Sequence, residues 1–173
     1  MRPLRLLVIA VLAVIVGVLV WAHWPTAPLG EGLKADRVVI RKSSESLALV
    51  RDGQVLRSYP VSFGANPVGH KQQEGDERTP EGVYVIDYRK SDSAFHRALH
   101  ISYPNSDDVE RAARSGVDPG GLIMIHGLPN RAPFIGRLHR LVNWTDGCIA
   151  VTNREMDQIW AAVDDGTVVE IYP

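Results

Sequence analysis

Thr145-Asp146-Gly147-Cys148-Ile149-Ala150 holds the single cysteine of a 173-residue chain, and the reading of the fold works outward from it. A thiol attacks only as thiolate, so a reactive cysteine needs a neighbouring base or a positive field. It also gains from backbone N–H groups aimed at the oxyanion that forms on the attacked carbonyl. A glycine just before the cysteine suits both needs, because it lets the backbone turn tightly and leaves room for substrate. Gly-Cys alone is common by chance. A lone cysteine can equally be a small buried hydrophobe or one half of an intermolecular bridge.

Upstream, Ile123-Met124-Ile125-His126-Gly127 ends an apolar strand in a histidine followed by glycine. Such a histidine stands at a sheet rim, where a side chain can meet a ligand, and imidazole titrates near neutral pH. Alone it reads as a rim residue that satisfies hydrogen bonds. Together with Cys148 it reads as the base of a nucleophile–base pair.

The N-terminus sets the compartment. Arg2 and Arg5 precede an uncharged apolar run from Leu6 to Ala22, with Trp21 and Trp24 at its end. That pattern predicts a bilayer-spanning helix with its basic end in the cytoplasm and its aromatic end at the far interface. A cleaved signal peptide is the alternative, since Val20 and Ala22 fit a small-residue cleavage site. Either reading exports the rest of the chain to the periplasm or beyond, where cysteines usually pair. Net charge is -1, with 19 basic and 20 acidic residues interspersed, so no basic stripe marks a nucleic-acid surface. Repeats and low-complexity tracts are absent from the sequence.

Residues 1–24 are thus an anchor or uncleaved signal, 25–35 a Pro/Gly-rich linker, and 36–173 one folded domain. Strand patterns cover Arg37–Lys42, Ser46–Arg51, Gln54–Ser62, Val83–Tyr88, Gly121–His126 and Thr167–Tyr172, and Asp52-Gly53 predicts a hairpin. A charged loop fills 64–82. Ile101-Ser102-Tyr103 also reads as strand, and Tyr103-Pro104-Asn105 as a turn. Ser106–Arg114 reads as a short helix stopped by Gly116. A second helix starts at the capping box Thr152–Glu155, with Met156, Ile159, Trp160 and Val163 on its core face and Asp164-Asp165-Gly166 ending it. The fold class is mainly β with a few short helices.

Three segments carry a family resemblance: Gly75-Asp76-Glu77-Arg78-Thr79-Pro80-Glu81-Gly82-Val83-Tyr84, Ile125-His126-Gly127 and Thr145-Asp146-Gly147-Cys148. In order and separation they resemble the L,D-transpeptidase catalytic domain, also called the YkuD domain, over roughly Arg37 to Tyr172. The resemblance implies a sandwich- or barrel-like β domain and a peptidoglycan L,D-transpeptidase. Cys148 would form a thioester with a stem peptide, and His126 would take the thiol proton and return it to the leaving amine. The carbonyl of Gly127 would orient His126, and the N–H groups of Gly147 and Cys148 would form the oxyanion hole. An amine acceptor completes a transpeptidation; water would make the protein a thiol amidase or peptidase of wall cross-links or wall–protein links. No cofactor is implied.

The sequence departs from the family pattern at two positions. Asp146 stands where the family has a second histidine, and Ala150 where Asn or Arg is usual. An unpaired carboxylate so near the thiol raises its pKa, whereas one paired with an imidazolium would support the base. Among the segment between base and nucleophile, Arg131, Arg137 and Arg140 are candidates for substrate carboxylates, with surface solubility the alternative. Thr145 is a further candidate for substrate contact, and His139 a candidate replacement for the missing histidine. His96 and His100, four apart, would share a metal only on a helix. With no H-E-x-x-H they are read as non-ligands.

Overall fold

The computed structural model describes residues 2–173; Met1 and the Arg2 side chain, both part of the expected anchor, lie outside what is described. Helix α1 (Arg2–Ala22) comes first, and its stretch Pro3–Ala22 has mean hydropathy 2.8 with every residue exposed except Ala22 at its end. At 1.5 Å per residue such a helix is about 30 Å long, the thickness of a bilayer core. The segment behind it does not float free. Gln158 donates a hydrogen bond to Ala27 O and Arg57 donates one to Pro28 O, so residues 27–28 lie along the folded domain.

Eight strands follow: β1 (Arg37–Arg41), β2 (Ser46–Arg51), β3 (Gln54–Pro60), β4 (Gly82–Ser93), β5 (His96–Ile101), β6 (Met124–His126), β7 (Ile149–Ala150) and β8 (Val168–Tyr172). They form one ladder in the order β3-β2-β1-β8-β4-β5-β6-β7. Pairing is antiparallel except β1–β8 and β6–β7. Strand β4 serves both halves: Gly82–Val85 pairs with β8, and the remainder, through two register shifts, pairs with β5. Bulges bend a strand and raise its twist. The ladder therefore curls until Ser62, just past β3, bridges Ala150 on β7. Its interior is filled from both halves, by Val38, Ile40, Leu47 and Leu49 on one side and Leu99, Ile101, Ile125 and Ile149 on the other.

Asp52 and Gly53 both take positive φ, 50° and 76°, which is the hairpin turn the sequence predicts. Helix α2 (Ser106–Ser115) is capped by the Asn105 side chain and ended by Gly116 at φ 68°. Helix α3 (Asn153–Ala162) buries Met156 and Ile159, with Val163 sealed just past its end, while Trp160 is only partly covered and carries the Arg89 guanidinium 4.8 Å above its ring. Three assignments need correction. The strand after β4 is His96–Ile101, not Ile101–Tyr103, and β4 itself runs on through polar residues to Ser93. The added β4 residues 89–92 are largely exposed, and β5 opens with polar His96 and Arg97 and buries a histidine, His100, among its apolar residues, so neither shows a regular apolar alternation. The histidine strand is shorter than Gly121–His126, because Leu122 takes φ 56° and turns the backbone out of the ladder.

Candidate active site

The nucleophile turn is built on a platform from the loop before β4. Asp76 accepts backbone N–H bonds from Gln72 (2.6 Å), Gln73 (3.2 Å) and Arg78 (3.0 Å), and Lys71 Nζ lies 2.9 Å away. Burial alone would raise the Asp76 pKa, but these bonds together hold it below the usual carboxylate value. So fixed, the loop presents Thr79, whose hydroxyl donates to Gly147 O at 2.8 Å, and Arg78 O, against which Gly147 packs. Gly147 takes φ 113°, and a Cβ there would fall 2.5 Å from Arg78 O. Only glycine satisfies both constraints. On the other side Thr145 donates to Cys148 O at 2.7 Å and accepts a long 3.3 Å contact from Gly147 N–H.

Register brings cysteine and histidine together. In the parallel pair β6–β7, Ile125 faces Ile149 and His126 faces Ala150. Side chains alternate along a strand, so Cys148 and His126 share one face as diagonal neighbours. A strand spacing of 4.8 Å and two rises of 3.3 Å put their Cα atoms about 8 Å apart, within side-chain reach. Both line one cleft of about 710 Å³, together with Thr145, Asp146, Lys71 and Trp144. His126 Nδ1 lies 2.7 Å from Gly127 O. A carbonyl only accepts, so Nδ1 carries the proton and Nε2 is left as the acceptor. Gly127 is itself pinned: its N–H bonds Phe95 O and Arg97 O, and a Cβ would meet Asn153 Oδ1 at 2.7 Å.

The His126 ring is 4% exposed and sits between Phe95 (centroids 4.7 Å apart) and Trp144 (5.8 Å, edge-on). Burial lowers its pKa, and the Gly127 bond opposes this only in part. Burial also raises the Cys148 pKa; the Met124 N–H lowers it, Asp146 raises it and Lys71 lowers it. The Cys148 thiol donates to Leu122 O at 3.5 Å. Opposite shifts on an acid and a base favour the neutral thiol–imidazole pair at rest, with the proton moving as attack begins.

Not every candidate reaches this cleft. Arg140 gives both carboxylate oxygens of the buried Glu155 a bond from Nη2, at 2.6 and 2.7 Å, so its guanidinium holds the start of α3. Arg137 lines a separate hollow with Ala22 and Trp24, and Arg131 is exposed. His139 is buried: its Nδ1 pairs with Ser62 Oγ at 3.1 Å, while Ser62 donates to His139 O at 3.0 Å. Burial first, then Arg140, pushes its pKa down to about 4 against the opposing pull of Glu155. His96 and His100 each take their own carboxylate, Asp157 at 2.7 Å and Asp87 at 2.6 Å. The sequence reading missed Lys71, Phe95 and Trp144, which no local pattern ties to Cys148.

A curled β ladder with a cysteine and a histidine lining one cleft is a fold and site that known proteins share. The model of the YkuD, L,D-transpeptidase catalytic domain matches residues 35–171, and the chain belongs to that family. It is 31% identical over 129 residues to YafK of Escherichia coli K12, assigned to the L,D-transpeptidases, covering 69% of this chain and 45% of YafK. Its structure is similar to that of the helical cell shape determining protein Pgp2 from Campylobacter jejuni, with TM-score 0.59 and 26% identity over 88% of this chain and 53% of Pgp2. An L,D-transpeptidase from Xylanimonas cellulosilytica shares the fold, at TM-score 0.51 and 18% identity, over 85% of this chain and 65% of that one. The chain thus spans about half the length of YafK and Pgp2.

Proposed function

We propose that this protein is a membrane-anchored, periplasmic cysteine acyltransferase of peptidoglycan, an L,D-transpeptidase with Cys148 as nucleophile and His126 as general base. The observation that carries this is the β6–β7 register, which sets the two side chains on one face of one cleft while Gly127 O holds the His126 proton on Nδ1. Nε2 then takes the thiol proton as sulfur attacks the stem-peptide carbonyl, and returns it to the departing amine. The N–H groups of Gly147 and Cys148 are the proposed oxyanion donors. The Gly147 contact with Thr145 Oγ1 is long enough at 3.3 Å to be given up to a developing negative charge. Desolvation by Phe95 and Trp144 strengthens those bonds. An amine from a second stem resolves the thioester.

The likeness to a cell-shape protein points to wall remodelling as the purpose, and the departure at Asp146, exposed in the cleft, keeps water as the second acceptor to be tested. Purified full-length protein incubated with sacculi tests both readings. New 3→3 cross-links in the digested wall are expected, and release of monomers alone would make the enzyme the hydrolase instead. A carbapenem should add its mass to Cys148. An unmodified thiol and an unchanged wall would sink the proposal.

A further inference from the structure

The segment between the proposed base and nucleophile combines basic and large apolar residues. From Gly127 to Thr145 it contains no Asp or Glu, three arginines, and seven large apolar or aromatic residues at Leu128, Phe134, Ile135, Leu138, Leu141, Val142 and Trp144. Its centre, Pro133–Leu141, is two 3-10 turns joined at Gly136, which takes φ 50°. A globular domain normally turns such residues inward. Here Phe134 is 69% exposed, Leu141 72% and Val142 63%. Beside them opens an apolar hollow of about 250 Å³, lined by Pro129, Ile135, Leu138, Val142 and the rings of His139 and Trp144.

What covers this face follows from where it lies. Helix α1 is exposed along its length except at Ala22, its last residue, which is buried. Ala22 O sits so close to Gly136 that a Cβ there would approach to 2.4 Å. The helix that is long and apolar enough to cross a membrane therefore ends on the middle of the cap segment, with Trp21 and Trp24, the residue types of the interfacial layer, exposed on either side. Phe134 is two residues from that contact. The arginines that remain free of Glu155 are Arg131, which is exposed, and Arg137, which lines a hollow with Ala22 and Trp24, and the segment itself contains no acidic side chain.

We propose that residues 133–142 are a membrane-docking cap: Phe134, Leu141 and Val142 enter the headgroup–acyl boundary of the bilayer that holds α1, with Arg131 and Arg137 on lipid phosphates. The partner is an anionic phospholipid surface. Apolar side chains with neighbouring arginines bind that boundary by area burial plus attraction to the phosphates. Trp144 lines both the apolar hollow and the catalytic cleft, so docking on one side of that ring holds the wall of the other. The cleft mouth would then stand at a set height above the membrane.

The proposal rests on α1 being a retained anchor, not on the catalytic reading, and its test is run in a Cys148→Ala background. Nitroxide labels are placed singly at Phe134→Cys, Leu141→Cys and Val142→Cys in the full chain, in vesicles of phosphatidylcholine with phosphatidylglycerol. Ile15→Cys in α1 and Val109→Cys on α2 are the membrane and water references. The ratio of oxygen to nickel-chelate collision at the three cap positions should exceed that at Val109 several-fold and fall towards it when Arg131 and Arg137 are both changed to Ser. Cap labels that read like Val109 while Ile15 reads deep would overturn the proposal, as would an Ile15 label in water. A cap that instead meets glycan or another protein gives the first of those results.

Discussion

Replacing Arg140 with Ala separates a structural arginine from a substrate-binding one. In the fold its Nη2 spans both oxygens of Glu155, a carboxylate buried at the first turn of α3. Deleting one partner of a buried pair costs about 3–5 kcal/mol, because an uncompensated charge stays behind. Glu155 would keep two bonds, from Thr152 N–H at 3.0 Å and the Thr152 hydroxyl at 2.7 Å, so the lower end, about 3 kcal/mol, is expected. For a domain of this size each kcal/mol moves Tm by about 2–4 °C, which gives a fall of about 6–12 °C. The assay is thermal unfolding of the full chain in detergent, alongside Arg140→Lys and the double variant Arg140→Ala/Glu155→Gln. Lysine should recover only part of the loss, since an ammonium is more strongly hydrated than a guanidinium and costs more to bury. Neutralising Glu155 should recover more than half of it. An Arg140→Ala protein with native Tm but weakened substrate binding would refute the reasoning and return Arg140 to the substrate.

Asp146→Asn removes the acidic neighbour that raises the Cys148 pKa, so iodoacetamide should alkylate Cys148 faster at a given pH, with the pH–rate midpoint moved down; an upward move would show that Asp146 supports the thiolate. His139, held near 4 in the fold against 6.5 when free, binds its proton first in the unfolded chain. Its contribution is therefore complete above pH 6.5 and lost as pH falls from 6.5 to 4, by about 3 kcal/mol, and urea titrations should show a flatter acid slope for His139→Gln. Thr79→Val strips the donor from the buried Gly147 carbonyl and should cost about 1–3 kcal/mol in urea unfolding. Thr79→Ser should stay near native; equal losses would remove the hydroxyl from the account.

Local pattern carried the sequence reading a long way. Alternation in Arg37–Arg41 and Ser46–Arg51, the Asp52-Gly53 turn and the Thr152–Glu155 start of α3 each depend on residues a few positions apart, and each is present. Reading failed where the deciding partner was distant. His96–Ile101 shows no strand pattern because its residues answer to Asp87, Asp157 and the β4 ladder. Arg140 looked free because Glu155, which claims it, belongs to the next helix. The sequence assigns no element to Pro133–Leu141, whose two turns meet at Gly136, packed against Ala22.

By itself the sequence determined the chemistry on offer: one thiol behind a glycine, one imidazole at a strand end, and an N-terminal helix long and apolar enough to cross a membrane. Tertiary structure decided which groups meet. It set Cys148 diagonal to His126, sealed the imidazole between Phe95 and Trp144, buried His139 and spent Arg140 on Glu155. The division has a physical cause. Backbone preference and side-chain chemistry are properties of neighbours along the chain, whereas strand register and the exclusion of water arise only when remote segments pack.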